Sequence, residues 1–125
     1  MSGIKQVFGG AGIKDDSAYA SIEAMKELLD VLRSGGVKVI DTAQLYGSSE
    51  EWLGKVKAGD SFTVDTKAVG GFEPGSGTKE KIVAGAKKSL ERLQTNKVRF
   101  VAIACNEAGR LILPGRHILP PCSRQ

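Results

Sequence analysis

Short apolar runs alternate with helix-like segments along most of this chain, and this alternation constrains the fold more than any other feature. The runs that read as strands are residues 4–8, 37–41, 62–69 and 98–104. The segments between them are long enough to hold a helix, so the strands are expected to be parallel with right-handed crossovers. The prediction is an α/β fold with the order βαβαβαβ.

The first helical segment has an apolar stripe between Ile22 and Leu32 at three- and four-residue spacings. Asp15, Asp16 and Ser17 precede it. They supply the negative charge and the hydroxyl that favour a helix start, so the helix is expected to begin there.

Two further helices are predicted after the second and third runs. Ser48 and Glu51 have the spacing of a capping box at the start of the shorter one, and Trp52 and Leu53 are expected to face the sheet. Thr78 would cap the last helix, after a glycine-rich loop. The apolar stripe of that helix is formed by Ile82, Ala86, Leu90 and Leu93.

The composition suits one ordinary domain, because 125 residues that are 41% hydrophobic and 26% charged can form a core. No run approaches the roughly 18 apolar residues that span a membrane. A basic region followed by an apolar block is absent from the N-terminus, so a cytoplasmic protein without a membrane role is expected.

A net charge of +4 raises the question of nucleic-acid binding. The basic residues of the last helical segment are Lys79, Lys81, Lys87, Lys88, Arg92 and Lys97. Glu80 and Glu91 are interleaved with them and aromatic residues are absent, which favours a solvated helix face and no nucleic-acid partner.

Few residues could bind a metal. Cys105 and Cys122 match no zinc-binding spacing and are interpreted as unpaired thiols. His117 is the only histidine, so no metal site with several histidines is expected.

Three reactive side chains follow the second and third runs. Asp41 ends the second run, Tyr46 lies on the loop after it, and Lys67 lies at the end of the third. Active sites of parallel βα units lie at the carboxyl ends of the strands. A nearby ammonium favours the phenolate and improves a phenol as a proton donor, while a carboxylate would hold the ammonium. The alternatives are a turn or capping role for the acid, ring packing for the phenol and a solvated lysine.

The motif around these residues resembles the aldo-keto reductases, and especially their aflatoxin-aldehyde reductase branch. The resemblance rests on VIDTAQLYGSSE at 39–50, TVDTK at 63–67 and SLERLQTNKV at 89–98, and it covers roughly residues 3 to 98. It implies a (β/α)₈ TIM barrel and NADPH-dependent reduction of a small aldehyde or ketone to an alcohol by hydride transfer. Tyr46 would be the proton donor and Lys67 would assist it. Asp41 would hold the lysine and lie near the nicotinamide ribose.

The chain departs from this family in two ways. The family carries a histidine near the position of Ala104, where none is present here. A barrel of this kind takes about 250 residues, and the similarity stops near Val98. Residues 1–104 are therefore interpreted as a partial, truncated aldo-keto reductase domain, roughly the first half of the barrel. Residues 105–125, with three prolines within eight residues, are predicted to form an irregular tail.

Impaired catalysis is expected from such a half-barrel. The alternative function is an inactive fragment that associates with another chain, including a second copy, through its open sheet edges. The face meant for the barrel interior is expected to be exposed and apolar. A third reading, a Rossmann-type nucleotide domain, rests on the glycines at 9, 10 and 12, although the third glycine of that fingerprint is absent.

Overall fold

The computed structural model describes residues 3–69, 75, 77–102, 104–105 and 111–112. Helices and strands alternate along this part of the chain. The main elements are β1 (Val7–Gly9), α1 (Ile22–Ser34), β2 (Val39–Asp41), α2 (Ser49–Lys55), β3 (Thr63–Ala68), α3 (Lys79–Arg92) and β4 (Arg99–Ala102). Within these ranges no helix is both long and apolar enough to cross a membrane.

The sheet confirms the predicted βαβαβαβ order. Its four strands lie in the order β1-β2-β3-β4 and each neighbouring pair is parallel. Asp41 is level with Asp65, which is level with Arg99. A Rossmann sheet instead has its first strand between the second and the fourth. Here β1 has only β2 beside it among the described strands, so the Rossmann reading was wrong.

The end of the described chain differs from the prediction in one respect. The fourth strand stops at Ala102, and β5 (Ala104–Cys105) pairs antiparallel with β6 (Leu111–Ile112). The proline argument for an irregular tail applies to residues 114–121 and not to this short ladder. The other tail residues, including His117 and Cys122, lie outside the described part, as do residues 70–74 and 76 of the predicted loop.

The start of α1 was predicted four residues too early. Ser21 is its N-cap, and the Ser21 hydroxyl accepts a hydrogen bond from the amide of Ala24 at 3.0 Å. Ser17 Oγ instead donates to the carbonyl of Lys14 at 2.7 Å. The Ser17 hydroxyl is therefore used in a local turn and is not available to a helix.

Of the other two predicted helix caps, one is confirmed and one was wrong. Thr78 caps α3 as predicted, accepting from the amide of Lys81 at 3.4 Å. Ser48 precedes α2 but its side chain makes no capping bond, so the predicted capping box was wrong. The reason is conformational, because Ser48 has φ −88° and ψ 7°, whereas a capping side chain usually stands on extended backbone.

One face of the sheet packs against the helices and forms the core. Ile40 and Val64 contribute from the strands, and both are at most 2% exposed. The helical residues of the core are Met25, Leu29, Leu32, Leu53 and Leu93. Of the stripe predicted for α3, Leu93 at the C-cap is buried at 2% exposure, whereas Ile82, Ala86 and Leu90 are only half-buried. Ser89, which the stripe did not include, is 0% exposed.

Trp52 lies at the edge of this core rather than within it. Its ring packs against the buried cluster, while its indole Nε1 donates to Asp15 Oδ1 at 2.8 Å. Lys55 Nζ lies 4.0 Å from the centroid of the ring, close enough for a cation–π interaction. Trp52 thus connects α2 to the segment that precedes α1.

The other face of the sheet carries charge. Side chains alternate between the two faces of a strand, so Asp41, Asp65 and Lys67 point away from Ile40 and Val64. Two ion pairs form there, one between Lys67 and Asp41 and one between Arg99 and Asp65. The expectation of an exposed apolar face therefore fails at its described centre, where charges are paired, whereas Val7 on the same face is apolar and 53% exposed.

Candidate active site

Lys67 and Asp41 form the most constrained pair at the carboxyl ends of the strands. Lys67 Nζ donates to Asp41 Oδ1 at 2.7 Å, to Asp41 Oδ2 at 2.6 Å and to the carbonyl of Thr42 at 3.0 Å. The lysine side chain is 23% exposed and the aspartate side chain is 33% exposed. Three acceptors thus hold the ammonium in place, which is unlike a freely solvated lysine.

Tyr46 lies beside this pair on the loop between β2 and α2. Lys67 Nζ is 5.0 Å from the centroid of the phenol ring, within the range of a cation–π interaction. The loop turns tightly there, because the Tyr46 amide donates to the carbonyl of Ala43 and the Ser49 amide donates to that of Tyr46. The structure brings Asp41, Tyr46 and Lys67 together at the carboxyl ends of β2 and β3. Their chemical roles stay a prediction.

Gln44 is a site residue that the sequence reasoning missed. Its Oε1 accepts from the amide of Val69 at 2.8 Å, and its Nε2 donates to the carbonyl of Gly85 at 2.7 Å and to Ser89 Oγ at 2.9 Å. Its backbone amide also donates to the carbonyl of Lys67. The available signal was its position, since it is a long polar side chain between Asp41 and Tyr46 in the family motif.

A buried cluster of hydroxyl groups holds the loop between β2 and α2 against the residue that follows β1. Thr42 Oγ1 and Ser49 Oγ are 2.9 Å apart, and Ser49 Oγ donates to the carbonyl of Gly10 at 2.9 Å. A Cβ atom at Gly10 would lie 3.1 Å from both the Asp41 carbonyl oxygen and Ser49 Oγ. The glycine therefore permits a close approach of β1 to the loop that follows β2.

Glu50 connects three elements from inside the protein. Its Oε1 accepts from Thr66 Oγ1 at 2.6 Å, and Arg92 Nη1 lies 3.5 Å from its Oε2. Arg92 also lies 3.7 Å from Glu51. The prediction that Arg92 belongs to a solvated basic face was therefore wrong, whereas Lys79, Lys81, Lys87, Lys88 and Lys97 are exposed.

Asp65 and Arg99 continue the charged face toward β4. Arg99 donates from Nε and Nη2 to the two oxygens of Asp65 at 2.7 and 2.6 Å. These hydrogen bonds and the charge of the carboxylate raise the pKa of Arg99 above its usual value. The guanidinium therefore remains charged wherever the protein is folded at ordinary pH.

A cavity of about 710 Å³ lies at the opposite, amino-terminal ends of the strands. Lys38, Phe62 and Lys97 contribute to its lining, and Asp41, Tyr46 and Lys67 do not. Since parallel βα units use the carboxyl ends of their strands for chemistry, the cavity is separate from the candidate site.

Parallel strands joined by helices form an open α/β fragment of a (β/α) barrel, with a Lys–Asp pair and a phenol at the carboxyl ends of its strands. Residues 5–111 match the aldo/keto reductase family, and the chain belongs to that family.

Comparison with individual proteins gives the extent of the similarity. The chain is 39% identical over 101 residues to oxidoreductase sirO of Leptosphaeria maculans, covering 74% of this chain and 30% of that protein. Solved structures described as aldo-keto reductases share the fold. One from Pseudomonas aeruginosa has a TM-score of 0.65 and 23% identity, covering 82% of this chain and 41% of the other. One from Brucella melitensis has a TM-score of 0.52 and 23% identity, covering 77% and 35%. This chain thus spans less than half the length of each.

Proposed function

We propose that this chain carries the proton-donor part of an NADPH-dependent aldehyde or ketone reductase, with Asp41, Tyr46 and Lys67 as its reactive groups. The observation that carries the proposal is the position of the Lys67 ammonium, held by both oxygens of Asp41 and 5.0 Å from the Tyr46 ring. Family membership and the oxidoreductase relative support the same reaction class.

Each residue has a distinct role in this proposal. NADPH, when bound, supplies a hydride to the carbonyl carbon. The Tyr46 hydroxyl donates a proton to the carbonyl oxygen, where negative charge develops. Lys67 stabilises the resulting phenolate by its positive charge. Asp41 keeps the ammonium from turning toward solvent, which preserves its distance from the phenol.

The residues present fit one end of this cofactor. Both Asp41 oxygens accept from Lys67, but the carboxylate is 33% exposed, and each oxygen has a further lone pair. It can therefore also accept a hydrogen bond from a ribose hydroxyl. The carboxylate lies at the carboxyl ends of the strands, where ligands of parallel βα folds bind.

The substrate class follows the resemblance of residues 39–50 to the aflatoxin-aldehyde reductase branch. On this basis the proposed substrates are aromatic and dicarbonyl aldehydes. Turnover of the isolated chain is proposed to be low, because the sequence has Ala104 at the position where the family carries a histidine that orients the carbonyl.

The test is NADPH consumption with an aromatic or dicarbonyl aldehyde, measured for the chain and for Tyr46→Phe. Loss of a general acid should reduce the rate by about 10²–10⁴-fold. Tyr19→Phe is the matched control, because Tyr19 is the other tyrosine and packs against the core. Equal rates for the chain and Tyr46→Phe would remove Tyr46 as the proton donor.

The second candidate function is a catalytically inactive half-barrel that associates with another chain, a second copy included. The observation that favours it is the edge at β1, where Val7 is 53% exposed and the preceding Ile4 is 94% exposed. An unpaired strand edge is a template for pairing with another strand. Size-exclusion chromatography together with NADPH titration separates the candidates. A dimer without NADPH binding supports the second, and a monomer that binds NADPH at micromolar concentration contradicts it.

A further inference from the structure

We infer that Gln44 is a positioning residue that sets the placement of Lys67 relative to Tyr46. The inference rests on the proposed function for its kinetic consequence, although its geometric part can be measured without turnover. The hydrogen bonds of the Gln44 side chain go to Val69, Gly85 and Ser89 and not to the reactive groups of Tyr46 and Lys67. Gln44 acts through the carbonyl of Lys67 and the amide of Val69, and through α3.

Gln44 makes two hydrogen bonds to the backbone at the end of β3. Its backbone amide donates to the carbonyl of Lys67 at 3.1 Å, and its side-chain Oε1 accepts from the amide of Val69 at 2.8 Å. The side chain thereby takes the place of a backbone acceptor at the point where β2 has ended at Asp41. The backbone that carries Lys67 is thus held from the neighbouring strand beyond the end of the regular ladder.

The same side chain fixes the distance to α3. Its two N–H donors point to the carbonyl of Gly85 and to Ser89 Oγ, and Ser89 is 0% exposed. Both donors and one of the two lone pairs of the carboxamide oxygen are therefore used. A glutamate at this position would have no donors, and a methionine would have neither donor nor a comparable acceptor.

Movement of Gln44 is transmitted to Tyr46 over a short length of chain. Only one residue separates them, and the amide of Tyr46 is bonded to the carbonyl of Ala43 on the other side of Gln44. The turn at 43–46 therefore moves as a unit. A displacement of Gln44 shifts the phenol while Lys67 stays bonded to Asp41, so the spacing between the two reactive groups changes.

Gln44→Met tests the inference by removing all three side-chain hydrogen bonds at similar side-chain length. We expect kcat to fall by about 10–100-fold with KM within about two-fold, since small misplacements of reacting groups act on the chemical step. Gln6→Met is the matched control, because Gln6 is exposed before β1. Unchanged kcat in Gln44→Met would overturn the inference.

Gly85→Ala displaces Gln44 without changing it. A Cβ atom at Gly85 would lie 3.1 Å from Gln44 Nε2, so the carboxamide must shift by a few tenths of an ångström. Alanine has a higher helix propensity than glycine, so the melting temperature should be unchanged or higher while kcat falls. In a Gln44→Ala background the same substitution should leave kcat unchanged. A fall in kcat of equal size in both backgrounds would contradict a role through Gln44.

NMR separates failure of this inference from failure of the proposed function. The amide of Val69 should exchange slowly in the native chain and rapidly in Gln44→Met. Nuclear Overhauser effects between the Lys67 methylenes and the Tyr46 ring should weaken in Gln44→Met and in Gly85→Ala. If they are unchanged, Gln44 does not position the pair. If they weaken while Tyr46→Phe leaves the rate unaltered, the positioning stands and the proposed reaction fails.

Discussion

Arg92 Nη1 lies 3.5 Å from Oε2 of Glu50, a carboxylate oxygen that is buried and accepts no hydrogen bond within the described part of the chain. The other oxygen of Glu50 accepts from Thr66, which immediately precedes Lys67. The only compensation for a buried negative charge that we observe at Oε2 is therefore the guanidinium, which makes the pair a sensitive point for stability.

Arg92→Met should destabilise the fold by about 3 kcal/mol, because it leaves the carboxylate of Glu50 buried without a counter-charge. Urea unfolding provides the measurement. Lys88→Met is the control on the same helix, since Lys88 is exposed, and it should change stability by less than about 0.5 kcal/mol. Equal effects of the two substitutions would show that the guanidinium does not stabilise Glu50.

Glu50→Gln combined with Arg92→Met should be more stable than Arg92→Met alone. A neutral amide at position 50 can still accept from Thr66 and carries no charge to leave uncompensated. The two single substitutions and the double one form a thermodynamic cycle with an expected coupling of about 0.5–3 kcal/mol. Additive effects would argue against an interaction between the two side chains.

Gly54→Ala should destabilise the contact between α2 and the end of α3. A Cβ atom at Gly54 would lie 2.0 Å from the backbone carbonyl oxygen of Arg92, which cannot move as a side chain does. Overpacking of this kind costs about 1–3 kcal/mol. Gly12→Ala provides the control for urea unfolding, since a Cβ there meets no described atom within 4 Å. A Gly54→Ala variant as stable as the control would show that the helices separate at little cost.

Ser49→Ala should cost about 1–3 kcal/mol, because it leaves the buried Thr42 Oγ1 without its hydroxyl partner and removes one of two donors to the carbonyl of Gly10, the other being the amide of Ile13. Thr42 is 0% exposed, so water cannot easily replace the lost partner. Ser61→Ala, at an exposed position, is the control for the unfolding measurement. If the two variants unfold at the same denaturant concentration, the buried cluster contributes nothing to stability.

The effect of Arg99→Gln on the urea midpoint should be small and constant from about pH 7 to pH 10, because the guanidinium is charged throughout that range. The pKa of Arg99 is raised in the folded protein by Asp65. The contribution of a group with a raised pKa is complete below its unfolded value and declines only as pH rises through the folded one. Added salt should diminish the effect, since Arg99 is 62% exposed. A difference that disappears before pH 10 would contradict this assignment.

Local patterns were sufficient to predict the order of strands and helices and the side chains at the strand ends. Asp41 and Lys67 lie at the ends of apolar runs, and parallel pairing of those runs necessarily places their carboxyl ends on the same side of the sheet. The contacts of Gln44 with Gly85 and Ser89 span 41 and 45 residues, so no local pattern contains them. The predictions that Ser17 and Ser48 cap helices were wrong. Whether a serine can cap a helix depends on its backbone conformation, which tertiary packing determines and the sequence spacing does not show.

Trp52 has an optical consequence for any unfolding experiment on this chain. It is the only tryptophan, and its indole is bonded to Asp15 while Lys55 lies over its ring. Its fluorescence therefore reports when the segment before α1 leaves α2. Circular dichroism, in contrast, averages over all helices and strands. If this corner opens before the sheet separates, the fluorescence transition will precede the dichroism transition, and the delay will measure how independently the corner unfolds.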